Sequence, residues 1–97
     1  MNYIFNKRLT VSDNVIASPV GDETVILDLK TSAYLGFNPV GTRIWELLKE
    51  GLAPADICDR MADDFDVSHE VLEVDVRHFL GELKAREIVV EPDRSDN

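Results

Sequence analysis

The side chains able to do chemistry are few, and their spacing argues against most of it. Cysteine occurs once, as Cys58, and histidine twice, as His69 and His78. A metal site needs several His, Cys or carboxylate ligands that converge on one point. The two histidines lie nine residues apart in one helical pattern, about two and a half turns, and no C-x-x-C or H-x₃-H spacing occurs. Both read as solvent-facing, and no metal or cofactor is expected. A nucleophilic Cys58 would need a base and a field that favours thiolate. It falls instead on an apolar stripe between Asp56 and Asp59, whose charges oppose the thiolate, so core packing is expected for it. Asp63, Asp64 and Asp66 around Phe65 read as a solvated helix end, with a weak contact to a cation or basic partner as the other reading. The glycines are scattered and lack the Lys-Ser/Thr of a phosphate loop. Catalysis is not expected.

Charge narrows the partners. Ten basic residues face nineteen acidic ones, for a net charge of −9. Residues 1–50 carry five Lys/Arg and six Asp/Glu, and residues 51–97 carry five and thirteen. Nucleic-acid affinity comes largely from neutralising phosphates, so this balance disfavours it. No apolar run approaches the ~18 residues of a membrane span. The N-terminus is basic at Lys7 and Arg8 but has neither a long apolar stretch nor a small-residue cleavage site, so it does not read as a signal peptide. The lone cysteine cannot form an internal disulfide, and the expected location is the cytoplasm.

One domain over residues 1–97 is expected, with an N-terminal extension at 1–11 and a polar tail at 92–97. Runs 14–18 and 24–29 are β-branched and flank Pro19, Gly21 and Asp22, which predicts a hairpin. After Lys30, Thr31 and Ser32, residues 33–37 form a third predicted strand, the edge of the meander. Asn38 and Pro39 suit the N-cap and first position of a helix that Gly51 ends. A second helix starts at Pro54 with Leu52 and Ile57 as its hydrophobic staple, and a third runs from Ser68 to about Ala85. Residues 87–91 read as a short last strand. The fold class is α+β and winged-helix-like: a three-stranded antiparallel sheet, three helices and a short C-terminal strand. Trp45, Leu48, Leu72 and Phe79 are assigned to the core.

A winged helix raises the alternative of a DNA-binding regulator. The third helix, however, sets Arg77 and Lys84 against Glu70, Glu73, Asp75 and Glu82, an electrostatic disadvantage on DNA. The edge strand is more suggestive. Ala33, Tyr34, Leu35, Gly36 and Phe37 include no charge and no proline, the usual devices that blunt an open edge. Either the last strand or the first fourteen residues cover it, or it accepts an extended peptide by strand addition. Val71 and Val74 lie off the third helix's inward stripe, beside Asp75 and His78. They either line a groove next to the edge strand or pack on the N-terminal segment. A structural module that binds a protein but no extended peptide is a third alternative. Proline at Leu35 is expected to separate these by removing an edge N–H.

Residues 23–48, ETVILDLKTSAYLGFNPVGTRIWELL, together with VDVRHFLGEL at 74–83 and Ile88-Val89-Val90, resemble the PqqD family over roughly residues 12–91. The resemblance implies a recognition element for ribosomally made, post-translationally modified peptides. Such a domain binds the leader of a precursor peptide as an added strand and presents the core peptide to a partner, a radical SAM enzyme or a leader peptidase. Carried onto this chain, Ala33, Tyr34, Leu35, Gly36 and Phe37 pair with the leader, and Val71, Val74, Asp75 and His78 face it. Asp75 accepts a hydrogen bond or charge from the leader, or is simply a solvated acid.

Overall fold

The computed structural model describes residues 8–91. Strands β2 (Val15–Val20) and β3 (Glu23–Asp28) form an antiparallel hairpin that turns at Gly21 and Asp22. Gly21 sits at φ 64°, the left-handed region a two-residue hairpin turn demands. Strand β4 (Ala33–Phe37) pairs antiparallel with the other side of β3, giving the order β2-β3-β4. The expected third strand is therefore β4, with its bounds unchanged.

Pro19, expected in the turn, lies inside β2. The Leu29 N–H donates to the Asn14 carbonyl at 2.8 Å, and this fixes the alternation of the ladder. Ile16 with Leu27 and Ser18 with Val25 then exchange bonds, whereas Pro19 and Thr24 face each other without them. The position that lacks an N–H thus points away from β3, which an edge strand tolerates.

A second sheet was not foreseen. Strand β1 (Thr10–Val11) pairs with the C-terminal β5 (Val89–Val90), and the Ser12 N–H donates to the Ile88 carbonyl at 2.8 Å. The C-terminal strand consequently does not reach β4. Leu9 is only 3% exposed, so residues 9–11, expected to belong to an extension, are built into the fold.

Helices α1 and α3 begin at a side-chain cap and end in backbone bonds that satisfy their terminal groups, whereas α2 starts without a side-chain cap. In α1 (Pro39–Lys49), Asn38 Oδ1 accepts from the Gly41 N–H at 2.8 Å. The helix closes with Leu52 N–H donating to Leu47 and Gly51 N–H to Leu48, around Gly51 at φ 96°. Helix α2 (Pro54–Asp64) follows, with Ile57 buried and Leu52 packed against the same core. In α3 (His69–Ala85), Ser68 Oγ accepts from the Val71 N–H at 3.2 Å. Its C-terminus repeats the closing motif of α1, but Glu87 takes the left-handed position at φ 62° without being glycine.

Helix α1 packs on one face of the main sheet, against β3 and β4, and α2 packs on α1 and α3. Ile26 at the sheet centre, Leu47 and Leu48 of α1, Ile57 and Met61 of α2, and Leu72, Val76 and Leu80 of α3 are all buried. Trp45 and Leu48 are core as expected, and Phe79 packs on the core while staying half-buried. No helix among the described residues is long and apolar enough to cross a membrane.

Candidate functional site

The β4 edge faces away from β3 and carries no paired strand among the described residues. Because the ladder alternates, the Ala33, Leu35 and Phe37 backbones bond to Asp28, Ile26 and Thr24 of β3. The N–H and C=O groups pointing off the sheet therefore belong to Tyr34 and Gly36. These are the groups an added strand would meet. Their side positions are open as well: Tyr34 is 72% exposed, and a Cβ built on Gly36 would touch nothing within 4 Å.

Helix α3 runs antiparallel to β4 and forms the other wall of a cleft. The two elements meet where the Phe37 and Phe79 rings pack edge to face, with centroids 4.8 Å apart. Phe37 also stacks at a tilt on Trp45, 5.5 Å away, which ties this junction to the core. Gly41 lets the rings close up, since a Cβ there would lie 2.9 Å from the Phe79 ring. A further tie joins β3, α1 and β4: the Thr24 hydroxyl bonds to the Thr42 hydroxyl at 2.9 Å, which in turn bonds to the Phe37 carbonyl at 3.4 Å. The cleft is held by the fold and does not depend on a ligand to form it.

On one side of the aromatic junction lies a hollow of 410 Å³, with Val40, Ile44 and Phe79 as its apolar floor and Asp75, His78 and Glu82 on its rim. On the other lies a hollow of 350 Å³ between Ala33–Leu35 and the end of α3 at Ala85 and Arg86. Lys30 and Glu87 close that far end with an ion pair at 2.5 Å. The shared hydrogen bond raises the lysine above its ordinary range and holds the glutamate below its own. The α1 end of the cleft is thus acidic, and the β3–β4 turn end carries both signs.

Most of the residues expected to form the site fall into two groups, one in each hollow. Ala33, Tyr34 and Leu35 line the hollow at the β3–β4 turn end, opposite Ala85 and Arg86, whereas Val74, Asp75 and His78 line the other hollow, together with Asn38 and the α1 residues Val40, Gly41 and Ile44. Phe37 differs: its side chain is 5% exposed and belongs to the core, although it shapes the cleft from beneath. Val71 lines neither hollow. Val74 is 66% exposed and also borders a shallow 780 Å³ depression on the outward side of α3, lined among the described residues by that helix. Sequence reasoning missed Glu82 and the α1 residues Val40, Gly41 and Ile44. Glu82 could have been found, because it follows Asp75 by seven residues and His78 by four, which places all three on one helical flank.

The candidate reactive groups are placed structurally. Cys58 is fully buried, and burial with the nearby Glu73 and Asp59 pushes its thiol up to about 11, which opposes the thiolate. His69 pairs with Asp59 at 2.9 Å across α3 and α2. Asp64 binds Arg43 at 3.2 Å. No group of three or more His, Cys, Asp or Glu able to hold a metal is found among the described residues.

Comparison with known proteins follows the same direction. Residues 23–89 match the PqqD family, described as coenzyme PQQ synthesis protein D. A solved structure of TbiB1 in complex with the TbiA(beta) leader peptide is similar at a TM-score of 0.79 and 39% identity, over 82% of this chain and 93% of that one. Lasso peptide synthetase B1 complexed with the leader peptide shares the fold at a TM-score of 0.79 and 19% identity, over 86% and 98%. Among curated proteins, none matches.

Proposed function

The chain belongs to the PqqD family, and from that membership we propose that it is a non-catalytic peptide carrier. It takes the leader of a ribosomally made precursor as a fourth strand on β4 and presents the remainder to a modifying enzyme in the cytoplasm. The observation that carries this reading is the open β4 edge, whose Tyr34 and Gly36 backbone groups lack a strand partner among the described residues, beside a cleft walled by α3. Leader side chains opposite Leu35 and Phe37 enter that cleft, and those opposite Tyr34 and Gly36 stay on the outer face. A partner enzyme of radical SAM or leader-peptidase type fits the role. The 39% identical TbiB1, solved with a leader peptide bound, supports the ligand class.

The acidic rim at Asp75 and Glu82 suits a leader with a Lys or Arg near the α1 end. The same charge argues against the DNA-binding alternative. Titrating a synthetic leader peptide of a lasso-type precursor while following amide shifts tests the proposal. Shifts should concentrate at 33–37 and 74–82. A saturable leader complex that leaves those amides unmoved would place the peptide elsewhere.

A further inference from the structure

The cleft accounts for one face of β4, but the other face of the sheet is also unusual. Its outward side chains alternate with the buried ones, and antiparallel sheets with one wet face carry polar residues there. Here Ile16, Val20, Val25, Leu27 and Tyr34 occupy it with Ser18 as the one polar neutral side chain, and Glu23 at the hairpin end is the one charged side chain facing outward on the three strands. The register sets Ile16, Leu27 and Tyr34 side by side in one row across all three strands. Ile16 is 50% and Val20 56% exposed. A contiguous apolar face of this kind marks an interaction surface rather than ordinary scatter.

The row runs straight into the β4 edge. A strand added there places the side chains opposite Tyr34 and Gly36 on this same outer face. Gly36 contributes no side chain and leaves open space beside Val25, so a residue of the added strand would extend the row. We infer that the outer face of β2-β3-β4 docks the enzyme that acts on the bound peptide, and that the peptide completes the surface. The inference rests on the strand-addition reading of β4. The partner's matching surface is apolar at its centre and basic at its rim, complementing Asp22 and Glu23 beside the patch and a chain of net charge −9. A second copy of the same chain would bring the same negative charge and repel, and so would an anionic membrane.

Ile16 lies two strands from the β4 edge, roughly 10 Å away, so Ile16→Glu perturbs the face without touching the peptide's backbone partners. The probes are a labelled synthetic leader, read by anisotropy, and a purified leader peptidase that processes that precursor, read by calorimetry with and without leader. Ile16→Glu should keep its unfolding midpoint and its leader affinity within about twofold, and should weaken enzyme association by about tenfold or more. Leader should tighten enzyme binding by the wild-type chain. Equal enzyme affinity for Ile16→Glu and wild type overturns the inference. So does a wild-type dimer that the substitution dissociates with no change in enzyme binding, or a lowered midpoint showing that the chain's own termini cover the face. If wild type fails to take the leader yet loses the enzyme on Ile16→Glu, the β4 reading fails and the docking face survives without its peptide component.

Discussion

Replacing Gly36 with proline tests the strand-addition reading at the one backbone atom that separates it from a generic groove. The Gly36 N–H points off the sheet and bonds to nothing in β3, because the ladder commits Leu35 and Phe37 instead. Removing it costs the fold no hydrogen bond, and a side group at that position meets open space. Glycine-to-proline also restricts the unfolded chain, which offsets part of any strain in φ, so stability should change by about 1 kcal/mol or less. Binding should change far more. One leader carbonyl loses its donor, which costs ~1–3 kcal/mol when that group is buried in the complex. At 1.4 kcal/mol per decade this is about a tenfold to hundredfold loss of affinity, before any clash between the ring and the incoming strand. Anisotropy with a labelled leader, run beside urea unfolding, reads both quantities. Gly36→Ala keeps the N–H and should bind nearly as well as wild type. Leu35→Pro does not make the same test: contrary to the expectation from sequence, the Leu35 N–H faces β3 and bonds to Ile26, so that variant damages the fold. If Gly36→Pro binds leader with wild-type affinity at an unchanged unfolding midpoint, the leader does not pair with β4.

Three further outcomes follow from the same geometry. Asp75→Asn with Glu82→Gln should slow association of a basic leader and flatten its dependence on salt, measured by stopped-flow at several ionic strengths, while dissociation changes little. Trp45 is buried with its Nε1–H unpartnered among the described residues, so Trp45→Phe should cost only about 1 kcal/mol in urea unfolding, whereas Trp45→Ala should cost ~3–5 kcal/mol through its cavity. Cys58 stays a neutral thiol in the fold up to about pH 11 but ionises near 9.0 in the unfolded chain. Its contribution is complete below the unfolded value and disappears as pH rises through the folded one. Wild type should therefore lose about 2 kcal/mol more than Cys58→Ala between pH 9 and 11, a difference that equilibrium unfolding across that range would detect or refute.

The acidic balance and the edge-like character of residues 33–37 were legible in the chain, and so were the three helices. Asn38, Ser68, Gly51 and the Leu52–Ile57 pair act within a few residues of themselves, so their chemistry marks helix ends without knowledge of anything distant. Pairings across the fold were decided elsewhere. Thr10 and Val11 join Val90 and Val89 some eighty residues away, a two-residue match with no local signature. Glu87 adopts a glycine-like φ because Ile88 must turn back to Leu83 and Ser12. Above all, whether Tyr34 or Leu35 offers its backbone to a peptide depends on hairpin register, and a shift of one residue would exchange them and turn every side chain to the opposite face. Alternation along a strand is visible in residue types, but its phase is set only when two strands pair, and that pairing put the free donors at Tyr34 and Gly36.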